Sequence, residues 1–270
     1  MDIWADRYKR INGHTLKLIA CAVMLIDHIT AGILLQVIRA GLYPDSVSFD
    51  TMKLIYMILR GIGRNSFPIF CFLLVEGFIH TKSRLRYALS LLIFGFISEP
   101  FFDAVFYAKE EVFNLNIVEC LKANPDHLAE HCNVYFTLLI GLLVIWASEK
   151  AMDFVRQFNW PMEVRYLVSA PFLLLGIWVA ETFHTDYHGY GVGLIFAFYI
   201  FRDLCPINLI VGYVVLSLLG TEGYSLPCFV LLYFYNHKRG RRIGNLKYLF
   251  YAFYPFHIAF IYFIRCILFG

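Results

Sequence analysis

Nine apolar stretches dominate this chain, and the longer ones reach the roughly 20 residues that a helix needs to cross a bilayer. They run near Leu16–Ile38, Met52–Ile79, Leu85–Tyr107, Asn133–Ala147, Tyr166–Phe183, Tyr190–Phe201, Cys205–Leu219, Tyr224–Tyr235 and Tyr248–Phe269. The spacing predicts an all-α, polytopic bundle of about nine spans (8–10), with residues 1–270 forming one integral-membrane domain. The second stretch is interrupted at Arg60-Gly61-Ile62-Gly63-Arg64-Asn65-Ser66-Phe67-Pro68, and the sixth to eighth are short enough to tilt, re-enter or fuse. Hydrophobic residues make up 60% of the chain and charged ones 16%, against about 25% charged in soluble domains. That balance excludes disorder, a soluble fold and nucleic-acid binding, and leaves membrane lipids as an obligatory partner.

Lys and Arg collect in cytoplasmic loops, so their distribution orients the bundle. With the N-terminus inside, the inside segments hold sixteen Lys and Arg and the outside segments four. This predicts an N-in, C-out protein of the plasma or inner membrane, with the first stretch a retained span and not a signal peptide. Five of the seven cysteines sit in apolar runs, where Cys behaves as a small buried hydrophobe. Cys120, His127, His131 and Cys132 lie in a polar outer segment, whose more ordinary readings are a loop or a Cys120–Cys132 disulfide. No metal is expected.

Ionisable groups inside spans are costly and mark function, so they are the candidates. Lys17 and His28 are eleven residues apart, which puts them on one helix face separated by about 16 Å of rise. A cation at the rim suits a phosphate, and an imidazole at depth suits the far end of a long acyl carrier. His28 is then a general base, with the adjacent Asp27 orienting its ring. The plainer alternative is a structural His–Asp hydrogen bond. Arg60 and Arg64, at i and i+4, share a direction and suit a phosphate, a carboxylate or a developing oxyanion; the alternative is an ion pair with Glu99 or Asp27. Glu76 lies twelve residues beyond Arg64, about 120° round the helix. Ser98-Glu99-Pro100, Asn133, and the polar turn His184-Thr185-Asp186-Tyr187-His188 sit toward the outer face. Tyr235-Asn236-His237-Lys238-Arg239-Gly240-Arg241-Arg242 is a basic cytoplasmic turn that suits lipid headgroups or the phosphates of a nucleotide-bearing donor. Tyr254-Pro255-Phe256-His257 puts a second histidine inside the last span.

These strings resemble the TraX family, named for the F-type conjugative pilin acetylase. The likeness begins at Leu16-Lys17-Leu18-Ile19-Ala20 and Met24-Leu25-Ile26-Asp27-His28. It continues through Ile62-Gly63-Arg64-Asn65-Ser66-Phe67-Pro68, Glu76-Gly77-Phe78-Ile79-His80-Thr81, Ser98-Glu99-Pro100-Phe101 and Asn133-Val134-Tyr135-Phe136-Thr137. It ends at Asp186-Tyr187, Tyr235-Asn236-His237-Lys238-Arg239-Gly240 and Tyr254-Pro255-Phe256-His257, so it runs in order through nearly the whole chain. More distantly, Lys17 and His28 look like the Arg–x10–His signature of the membrane acyltransferase-3 group, with Lys in place of Arg. Asn236-His237 stands where the pilin acetylase pattern has Asn-Gly.

The resemblance implies a membrane acetyltransferase that uses acetyl-CoA, or another acyl-CoA, as donor and an amine such as a pilin N-terminus as acceptor. In that reading His28, Asp27 and Arg64 are catalytic, and Lys17, Arg60, Lys238, Arg239 and Arg241 hold the donor. Glu99, Asn133, Asp186, Tyr187 and His257 shape the acceptor side, where a peptide, a glycan or a small molecule would sit. The rivals are an O-acyltransferase of a cell-surface glycan or lipid, and a secondary transporter. Transporters often show two related halves, and no internal repeat is visible here.

Overall fold

The computed structural model describes residues 9–108, 115–125, 130–240 and 247–270. Among these the regular structure is helical throughout, and the only pairings of strand type are two isolated bridges, Ile11 with Tyr235 and Cys132 with Thr185. Helix α1 spans Gly13–Arg39, α2 Phe49–Gly63, α3 Ser66–His80 and α4 Arg84–Phe106. After the short α5 (Ile117–Ala123) come α6 (Val134–Arg156), α7 (Met162–Leu167), α8 (Ala170–Thr182) and α9 (His188–Ile200). The chain ends with α10 (Ile207–Ser217), a 3₁₀ turn at Thr221–Ser225, α11 (Leu226–Tyr233) and α12 (Lys247–Phe269).

Each apolar stretch therefore contains helix, and four elements are long and apolar enough to cross a membrane: Gly13–Arg39, Phe49–His80, Arg84–Phe106 and Tyr248–Phe269. The helices begin where the sequence supplies caps. Asn12, Ser48, Ser83, Asn116 and Asn133 each accept a backbone N–H of the first turn and satisfy one orphan donor. The second span breaks at Arg64 and Asn65, inside the interruption that the glycines predict. Two boundaries differ from expectation. Helix α6 runs nine residues past Ala147, because Arg84 donates to Glu149 at 2.9 Å and Val155 is buried. The fifth stretch divides into α7 and α8, where Pro171 sits at a helix start that needs no N–H from it.

Lipid tails are as apolar as leucine, so the bundle must hold together by close packing and polar contacts and not by expulsion of water. Small residues make the close approaches. A methyl group on Gly141 would run into Ile195 between α6 and α9, and one on Gly176 would strike Val144. Gly32 in α1 faces Ile261 and Val105, which lets α12 and α4 pack against a local π-helical turn at Thr30–Leu34. Phe78, Leu142, Leu194, Phe198, Ile258 and Ile261 fill the centre. Large side chains such as Phe96, Leu174, Trp178, Phe256 and Ile267 cover the outside, as a lipid-facing surface requires.

Candidate functional site

Helices α1, α2, α3, α6 and α12 converge on a cavity of about 60 Å³, roughly room for a few waters. Asp27, His28, Ser66, Phe67, Tyr135, Asp186, Tyr187 and Tyr254 are among its walls, with Phe250 toward the N-terminal end of α1. The sequence separates these residues by up to 227 positions, and the packing of α12 beside α1 brings them together.

His28 Nδ1 lies 2.6 Å from His257 Nε2, and His257 Nδ1 lies 2.6 Å from the carbonyl oxygen of Phe253. A carbonyl can only accept, so His257 carries its proton on Nδ1. Two neutral rings then leave one arrangement: His257 Nε2 accepts from His28 Nδ1–H, and His28 Nε2 keeps a bare lone pair. The rings stack with centroids 4.9 Å apart, and Tyr254 and Phe106 hold His28 edge-on or tilted. His257 is only 4% exposed. The orienting partner of His28 is thus His257, expected on the acceptor side, and not Asp27.

Asp27 belongs instead to a charge network. Its carboxylate pairs with Arg60 at 2.6 Å, the ion pair named as the alternative reading of that arginine. Gly63 makes this possible, since any Cβ there would occupy the space of the Asp27 side chain. Arg64 donates to Glu222 Oε1 at 2.9 Å, with Tyr187, Asp27 and Asp186 within electrostatic reach. Arg64 is thus engaged by Glu222 and is not among the cavity's lining residues, while Asp27 and Asp186, which are, lie within its electrostatic reach. Glu222 went unnoticed in the sequence. Its signal was a lone carboxylate between two short apolar stretches, in Gly220-Thr221-Glu222-Gly223.

Asp186 sits in the turn between α8 and α9. Its backbone N–H donates to Cys132 O at 2.8 Å and its own carbonyl accepts from Thr137. His184, Tyr187 and His188 all adopt positive φ (44°, 68° and 47°), a left-handed conformation that non-glycine residues hold only when their surroundings impose it. Tyr187 stacks flat on Phe67 at 3.6 Å, which locks the turn onto the cavity. Glu99 and Asn133 are joined to each other: Asn133 N–H donates to Glu99 Oε2 at 3.1 Å, its amide reaches Gly95 O at 2.8 Å, and its Oδ1 caps α6. They brace α4 against α6, and neither is among the cavity's lining residues. His188 pairs with Glu181 at 3.5 Å. Cys120 and Cys132 are free thiols, with Cys120 beside Tyr262 and Cys266.

At the other end, the basic turn docks on the start of α1. Gly13 N–H donates to Lys238 O at 2.9 Å and His14 N–H to Arg239 O at 3.1 Å. Lys17 stands there too, with its ammonium 5.5 Å over the Phe250 ring that lines the cavity. Lys17, Lys238 and Arg239 thus share one end, joined to the cavity through Phe250. Glu76 anchors the same turn, accepting from Tyr235 at 3.1 Å and facing His237 at 3.7 Å. Arg241 and His127 lie outside the described residues.

Comparison with known proteins matches the family described as TraX protein over residues 12–265. A probable fimbrial assembly protein FimC, serogroup H1, of Dichelobacter nodosus is 28% identical over 262 residues, covering 90% of this chain and 91% of that protein. No solved structure matches.

Proposed function

This chain belongs to the TraX family, and from that premise we propose that it is a membrane-embedded acyl-CoA-dependent acyltransferase with His28 as general base. The observation that carries the proposal is the relay from Phe253 O through His257 to His28, which leaves Nε2 of this cavity-lining histidine with its lone pair. Lys17, Lys238 and Arg239 offer cations to donor phosphates about 16 Å away along α1, a separation suited to an extended thiol arm. The small cavity suits a two-carbon acyl group better than a long chain. The N-terminal end of α1 is then the cytoplasmic side, where acyl-CoA is found and where the Lys and Arg concentrate.

In this mechanism the acceptor, an amine or hydroxyl, loses its proton to His28 Nε2 as its lone pair attacks the thioester carbonyl. His28 Nδ1–H stays bonded to His257, which spreads the developing imidazolium charge. Collapse of the tetrahedral intermediate breaks the C–S bond, and the CoA thiolate takes the proton back from His28. Asp186 and Tyr187 shape the acceptor side. Asp27 lines the cavity, and Arg60 holds its carboxylate.

Purified protein in detergent, given acetyl-CoA and a peptide amine, should release CoA thiol with matching acyl product. His28→Ala should lose that turnover while keeping its thermal transition. Undiminished turnover in His28→Ala would remove the base from the mechanism, and a folded wild type that neither binds nor turns over acetyl-CoA would remove the donor.

A further inference from the structure

Helices α10 and α11 have 11 and 8 residues, or about 16 Å and 12 Å of rise, against a hydrocarbon core of about 30 Å. Neither crosses alone. Both ends of the pair lie on the side of the chain's N-terminus. Cys205, just before α10, is within electrostatic reach of Lys9. Just after α11, Ile11 N–H donates to Phe234 O at 3.2 Å and Asn236 N–H donates to Ile11 O at 2.9 Å. The turn between them lies much deeper. Glu222 meets Arg64, which stands midway along the 32-residue Phe49–His80 element.

Backbone that leaves helical form at such depth must find partners within the protein. Three carbonyls of the Thr221–Ser225 turn find them. The Glu222 carbonyl accepts from Ser225 Oγ at 2.6 Å, and the Gly223 carbonyl from Tyr213 at 3.2 Å. The Tyr224 carbonyl accepts from Asn65 Nδ2 at 3.3 Å, and Asn65 Oδ1 accepts Cys228 N–H at 2.9 Å. We propose that α10, this turn and α11 form a re-entrant hairpin, entering from the N-terminal side of the membrane and returning to it, whose tip residue Glu222 positions Arg64. The break between α2 and α3 is its receptor: Asn65 satisfies the tip's backbone, and Arg64 takes its carboxylate.

Glu222 is 3% exposed, and its Oε2 has no hydrogen-bond partner among the described residues, so its charge is spent on Arg64. Without that charge, Arg64 is free to turn toward Asp186 and Asp27, which line the cavity. Glu222 is therefore a positioning residue of the acyl transfer, and this half of the inference rests on the function proposed above. The hairpin does not.

Two measurements test the halves separately. Sealed vesicles of known orientation carrying the full-length protein are treated with a membrane-impermeant maleimide. Cys205 and Asn236→Cys should label from the face that labels Lys9→Cys, and Thr221→Cys from that same face or from neither. Labelling of Thr221→Cys from the opposite face overturns the hairpin. In CoA release, Glu222→Gln should lower kcat about tenfold with KM for acetyl-CoA changed less than about twofold, and Glu222→Gln with Arg64→Gln should be no worse than the poorer single variant. Unchanged kcat in Glu222→Gln, or losses that add, overturn the positioning role. A wild type without transfer overturns acyl transfer and the positioning role together, and leaves the hairpin to the labelling result.

Discussion

Replacing His257 by Leu separates the orienting role of this residue from simple packing. The side chains are similar in bulk, but Leu offers nothing to His28 Nδ1, 2.6 Å from the present acceptor. Removing an acceptor so that a buried donor is left unmade costs about 1–3 kcal/mol. His28 can avoid that cost by moving its proton to Nε2, where it meets the cavity, but this consumes the lone pair that the reaction needs. Every 1.4 kcal/mol is about tenfold, so kcat should fall about 10- to 100-fold. KM for acetyl-CoA should hold, since its phosphates bind at the far end. His257→Gln should recover part of the rate, because an amide oxygen can accept from Nδ1–H. The assay is thiol release from acetyl-CoA with a peptide acceptor, beside a thermal transition in the same detergent. Full activity in His257→Leu, or no advantage of Gln over Leu, would refute the tautomer reasoning.

Gly63→Ala puts a methyl group on the Asp27 side chain and should destabilise by about 1–3 kcal/mol, read as a lowered thermal transition. Gly61→Ala, whose methyl would meet the Tyr224 ring at an ordinary 3.6 Å, is the control and should cost less than about 1 kcal/mol. Lys17→Glu should raise KM for acetyl-CoA about tenfold while leaving kcat near the wild-type value; a drop in kcat alone would separate Lys17 from donor binding. Asn65→Leu removes the amide that bonds the part-buried Cys228 N–H and the exposed Tyr224 carbonyl, and should cost about 1 kcal/mol. Its thermal transition should fall measurably, and an unchanged transition would refute the anchoring of the Thr221–Ser225 turn by Asn65.

Much of the architecture was legible before any coordinates. Apolar length, cap residues and the Gly-rich interruption marked where helices start, stop and break, because those signals are local: a helix needs its own hydrogen bonds, a cap within three residues, and enough apolar length for lipid. The shared face of Lys17 and His28 was legible for the same reason, since helical periodicity is a property of one segment. The partners of buried charges were not. Arg60 had two acidic candidates and chose Asp27. Arg64 went to Glu222, 158 residues away, and His28 went to His257, 229 residues away, although adjacent Asp27 seemed the natural orienter. Neighbours at i and i+1 point about 100° apart on a helix, so sequence adjacency argues against a shared target. The sequence by itself determined a membrane bundle with buried charges. Tertiary packing decided which charge meets which, because pairing at depth depends on which helix faces lie together and on where a glycine lets them touch.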